Sequence, residues 1–88
     1  MKRFNIAVGT KLFIRGVTMY YTGRVVACSE SEIRLSDAAW IADTGRFAQA
    51  LETGTFNEVE PYAGEVVVNR ESLIDYVEVS WELPRAQK

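Results

Sequence analysis

The chain has 88 residues, 48% of them hydrophobic and 25% charged, with a net charge of −2; this describes one small globular domain and excludes a disordered chain. There is no histidine and a single cysteine, Cys28, which excludes a disulfide framework, Cys/His zinc sites and any catalysis that needs an imidazole base. No stretch approaches the ~20 apolar residues of a membrane span, and no apolar run follows Lys2-Arg3, so a cytoplasmic protein with no membrane partner, no cofactor and no metal is expected.

Short β segments dominate the pattern. Lys11–Val17 alternates, with Leu12, Ile14 and Gly16 on one face and Phe13, Arg15 and Val17 on the other. Thr18–Ala27 alternates again, and Gly16 marks the bend between the two strands. A polar Ser29-Glu30-Ser31 tip leads to a third strand, Ile33–Ala38, completing an antiparallel meander. Asp43-Thr44 is expected to cap a short helix running to about residue 53, with Phe47, Ala50 and Leu51 on one side and Gly54 as the stop. Residues 55–64 read as a loop or ragged strand. Glu65–Asn69 is a strand with three consecutive valines, Asn69-Arg70-Glu71 a tight connection, and Leu73–Trp81 the last strand, with Val77, Val79 and Trp81 on one face. Residues 1–9 and 82–88 are expected to be loose termini.

Charge is split along the chain. Residues 1–29 carry +5 and no acid, whereas residues 30–88 carry −7. The basic first third is either the footprint of a polyanion or a set of strand exteriors that keep the domain soluble. An overall pI near 5.1 speaks against strong nonspecific nucleic-acid binding.

Two segments carry a resemblance. Tyr21-Thr22-Gly23-Arg24-Val25 with Ile33-Arg34-Leu35-Ser36-Asp37-Ala38, and Val68-Asn69-Arg70-Glu71-Ser72-Leu73, resemble the first and second motifs of the Sm/LSm family of small RNA-binding barrels, in a divergent form of the kind met among phage-associated and environmental sequences. Gly23 would let a strongly bent strand wrap a small barrel without a side chain colliding inside. The resemblance implies a mainly β chain that forms a single Sm-like domain over residues 1–88. Its fold would be a five-stranded, bent antiparallel Sm-like (SH3-like) barrel, with residues 39–64 as an insertion carrying one short helix between the third and fourth strands. It also implies a homo-oligomeric ring of about five to seven copies.

The chain departs from the family at the uridine pocket. Ser29, Glu30, Ser31 and Glu32 replace the expected Asp and Asn, Asn69-Arg70 replaces an Arg-Gly pair, and Glu30 and Glu32 would repel phosphate. The candidate nucleic-acid-binding residues are therefore Arg70, Asn69, Lys11, Arg15, Arg24, Tyr20, Ser29 and Ser31, with Tyr20 and Tyr62 the aromatics expected at the surface. Val66, Val67 and Val68 lack the lysine, proline or bulge that protects a sheet edge and are the candidate oligomer interface. The expected function is a non-catalytic, nucleic-acid-binding ring, RNA before DNA, acting as scaffold or chaperone. A ring without nucleic-acid binding is the alternative. Asp43-Thr44-Gly45 offers a distant third, a dimeric aspartic protease; Arg46 stands where that motif needs a small residue.

Overall fold

The computed structural model describes residues 6–88. Alternation and β-branched content give β1 (Lys11–Gly16), β2 (Tyr20–Cys28) and β3 (Glu32–Asp43), the expected meander. A helix α1 (Phe47–Thr53) and a strand β4 (Glu58–Pro61) follow. Then come β5 (Val66–Asn69), a one-turn 3-10 segment over Arg70–Ser72 and β6 (Leu73–Glu78). The strands form one antiparallel sheet ordered β4-β3-β2-β1-β6, with β5 paired to β3 off that path.

Among the described residues the fold is mainly β with one inserted helix, as expected, but it has six strands instead of five and the sheet does not close into a barrel. The extra strand is the ragged segment: Ala39, Trp40, Ile41 and Asp43 pair with Pro61, Glu60, Val59 and Glu58. β3 runs twelve residues instead of ending at Ala38, and it serves two partners along one edge. Glu32–Leu35 pairs with β5 and Ala39–Asp43 with β4. Between the two halves the register against β2 slips, and Asp37 takes a φ of 49°, so a bulge bends the strand at that point. The bend turns the two halves of β3 toward different neighbours.

Opposite faces of the sheet carry separate cores. Leu12, Ile14, Val25, Ile33, Leu35, Ala38 and Val68 form one. Phe13, Ala39, Ile41, Ala50, Phe56 and Val59 form the other. The face of β1 that holds Phe13 and Arg15 is therefore half interior, because α1 and β4 cover it. Burying a Phe or Leu side chain is worth about 1.5–3 kcal/mol, so two buried faces supply stabilisation that a single-faced sheet of this size lacks.

Two local expectations are corrected. The helix starts at Phe47, and its N-cap position is Arg46, which makes no side-chain cap. Asp43 Oδ1 accepts from Gly45 N at 2.8 Å and Thr44 Oγ1 donates to Gly45 O at 2.8 Å, so both side chains stabilise the turn before the helix. Gly54 does end the helix, at φ 73°. The C-terminal segment also lies against the sheet: Val59 and Lys88 exchange both backbone hydrogen bonds at 2.9 Å, and Arg85 Nη1 donates to Ala38 O at 3.2 Å. At the other end Gly9 N donates to Val25 O at 2.7 Å; residues 1–5 of the expected loose N-terminus, with Lys2 and Arg3, lie outside the described residues.

Candidate functional site

The eight candidate binding residues fall into two groups on different parts of the fold. The first lies where the β2–β3 loop meets the turn between β5 and β6. Register pairs Asn69 with Glu32, and Arg70 N donates to Ser31 O at 2.9 Å. The Arg70 guanidinium then reaches back, donating through Nη1 to Ser29 O at 2.7 Å and to Cys28 Sγ at 3.2 Å. Ser29 Oγ accepts from Glu32 N at 3.1 Å and from Ser31 N at 3.3 Å, folding the loop on itself. Asn69 Oδ1 accepts from Glu71 N at 2.9 Å and caps the 3-10 turn.

Ser29, Ser31, Asn69 and Arg70 are thus brought together from two distant segments of the chain; of the four, Ser29 lines a cavity of about 160 Å³ together with Ala27, Cys28, Glu32 and Arg34. The role expected for Arg70 changes, however. Only 8% of it is exposed, and its guanidinium ties the loop to the turn instead of projecting outward to grip a phosphate. Hydrogen bonds from a charged donor are worth about 1.5–3 kcal/mol each, which makes Arg70 a positioning residue. Glu30 on that loop and Glu32 at the start of β3 are both exposed, so their charge is solvated.

The second group shares one sheet face. Lys11 stands across from Arg24 and Arg15 across from Tyr20. The charges of Lys11 and Arg15 are already engaged. Lys11 Nζ donates to Ser80 O at 2.9 Å and Trp81 O at 2.8 Å. Arg15 pairs with Asp75, and that carboxylate holds the guanidinium pKa above its ordinary value. Arg24 Nη1 reaches Gly9 O only at 3.5 Å. Tyr20 stacks on Phe13 at 5.5 Å and lies 6.1 Å from Phe47. Phe47 is 41% exposed, a surface aromatic where the helical pattern predicts a core one. It belongs to the apolar side of α1, but the helix is too short to bury all of it.

The valine strand divides by residue. Val68 belongs to the core at 6% exposure, so its side chain is removed from the candidate interface, while Val67 is 47% exposed and Val66 half-buried. β5 pairs only with β3 and β6 only with β1 among the described residues, so each leaves an outer edge without a ladder partner. β6 adds the exposed side chains of Ile74 and Val77.

A further cavity, of about 260 Å³, is lined by Met19, Trp40, Glu60, Pro61 and Tyr62. Burial pushes the Tyr62 phenol above its usual pKa, with the neighbouring Tyr21 adding to the effect. The Trp40 indole Nε1 is buried with no hydrogen-bond partner among the described residues. The sequence could not single out this cluster, since β4 is what brings Glu60 opposite Trp40. No helix among the described residues is long and apolar enough to cross a membrane. Comparison with protein-family models, with curated proteins and with solved structures finds no match for this chain.

Proposed function

We propose that this chain is a non-catalytic module of the Sm-like kind, its barrel opened by the inserted α1 and β4, that assembles into a homo-oligomeric ring and carries single-stranded nucleic acid, RNA foremost, as a scaffold or chaperone. The observation that supports the reading is the pair of open strand edges, β5 and β6, on either side of a three-residue turn, with Val67, Ile74 and Val77 exposed beside them. Unpaired edges with apolar side chains favour pairing with another chain. β5 of one copy on β6 of the next is a heterologous contact, and such contacts close into rings when the rotation permits. The resemblance implies about five to seven copies.

In a ring the Ser29/Ser31–Asn69/Arg70 cluster repeats once per copy, so weak contacts from Asn69 and the loop serines accumulate by multivalency. Lys11, Arg15 and Arg70 are engaged within the fold, and this favours a second reading, a ring that joins proteins without binding nucleic acid.

Native mass spectrometry with and without short oligonucleotides tests both. The expected result is one closed stoichiometry, with bound RNA at low salt. Val67→Lys should split the assembly and leave the fold intact, whereas Val68→Lys should unfold it. Lys11→Ala, Arg15→Ala and Arg24→Ala should each lower the slope of log affinity against log salt by roughly 0.7–0.9 if the side chain neutralises a phosphate. A monomeric wild type removes the ring; a ring that binds no nucleic acid at low salt selects the second reading.

A further inference from the structure

We propose that the cavity between the end of β3, β4 and the β1–β2 turn is a binding site for a quaternary ammonium group. Its position is independent of the loop cluster and of the strand edges. Trp40 pairs across to Glu60 on β4 and to Tyr21 on β2, so these three side chains share one face of the sheet. Tyr62 is fixed beside them, its backbone N donating to Ala38 O at 2.8 Å. Met19 comes from the β1–β2 turn, where its carbonyl accepts from Gly16 N at 2.8 Å. The resulting lining holds two aromatic side chains, a thioether, a proline and one carboxylate, with no cationic side chain among them.

Each element of that lining suits the same ligand. Electron-rich rings attract a cation through their quadrupoles, and the attraction is strongest for Trp and where water is excluded. Glu60 supplies the compensating negative charge on an exposed strand position. The lining side chains offer an ammonium's N–H donors few acceptors, the Glu60 carboxylate and the Tyr62 hydroxyl. A quaternary ammonium has no N–H donors to satisfy, and the aromatic rings and the Glu60 carboxylate offset the cost of taking its charge out of water. A nucleotide fits less well, since Glu60 would lie beside its phosphate. Arg85 is directed to the carbonyls of Ala38 and Tyr62 and to Asp37 at 4.0 Å. It lies on the wall of the adjacent cavity that contains Ser36, Asp37 and Glu65.

The ligand chemistry has two sources, a free choline-like molecule or a trimethylated lysine in a peptide. Fluorine NMR of the fluorotryptophan-labelled full chain distinguishes them, because the two tryptophans report separately. Trp40 lines the cavity, and Trp81, whose Nε1 donates to Leu51 O at 2.8 Å, is the internal control. Choline at constant ionic strength should move the Trp40 resonance saturably and leave Trp81 still. Its neutral tert-butyl isostere, with carbon in place of the ammonium nitrogen, should bind at least tenfold more weakly. Glu60→Gln, an exposed position where the fold is retained, should weaken choline at least threefold. A trimethyllysine peptide tenfold tighter than choline assigns the peptide source, and equal affinity assigns the free molecule. The proposal is overturned if choline leaves Trp40 unmoved, if the neutral isostere binds as well, if Glu60→Gln has no effect, or if guanosine monophosphate moves Trp40 where choline does not.

Discussion

Gly54 concentrates two costs that can be separated by measurement. It ends α1 in the left-handed region, φ 73° and ψ 21°, with its N–H donating to Ala50 O at 2.8 Å. The Trp81 ring lies over it so closely that a Cβ there would stand 2.8 Å from Trp81 Cγ and nearer still to Cδ2 and Cε3. Gly54→Ala therefore places an L-residue in the left-handed region, costing about 1–2 kcal/mol. It also forces the indole aside. Displacement breaks the bond from Trp81 Nε1 to Leu51 O, worth about 1 kcal/mol. It also disturbs the edge-on packing against Phe56 at 5.8 Å, worth about 0.5–1.5 kcal/mol. The total is roughly 3–4 kcal/mol, a fall in Tm on the order of 20 °C for a domain of this size. Urea unfolding followed by tryptophan fluorescence and circular dichroism measures it. In a Trp81→Ala background the ring and its Cγ are gone, and Gly54→Ala should cost only the backbone share, about 1–2 kcal/mol. Equal destabilisation in both backgrounds, or less than about 1 kcal/mol in the wild type, refutes the reasoning.

Gly23→Ala should destabilise by about 1–3 kcal/mol through overpacking, since a Cβ would lie 2.8 Å from Leu35 Cβ; Leu35→Ala should not rescue it, because the nearest atom remains, and denaturation of the single and double variants checks this. Thr22 is fully buried and its hydroxyl has no partner among the described residues, so Thr22→Val should raise stability by roughly 1 kcal/mol in the same assay. Tyr62 has a folded pKa raised above its ordinary value of 10.0; the fold keeps a proton that the unfolded chain gives up, so stability falls as pH rises past 10.0 toward and through the folded value. Tyr62→Phe should flatten that alkaline limb in a pH series of unfolding curves.

Elements whose signal is local are legible in the order of residues alone. Alternation over Lys11–Val17, Thr18–Ala27 and Ile33–Ala38 defines a meander because side chains alternate faces along a strand. Gly54 stops the helix because only a residue without a Cβ is at ease in the left-handed region. Gly23 packs against Leu35 because a bent strand crowds its inner face, and Asn69-Arg70-Glu71 turns the chain as read. Pairing at long range decides the rest. Glu58–Pro61 is too short and too acidic to announce a strand, and it becomes β4 because the bent second half of β3 offers it an open ladder. Alternation separates the Phe13 face of β1 from the Leu12 face without saying that both are interior; α1 and β4 decide that by covering Phe13. Asp43 and Thr44 look like a helix cap, but the left-handed turn at Gly45 claims both side chains first. Arg70 carries an obvious charge, yet whether it faces solvent or the Ser29 carbonyl depends on a loop distant in the chain. Local chemistry sets which way a residue can point; what it meets there depends on which strands come together.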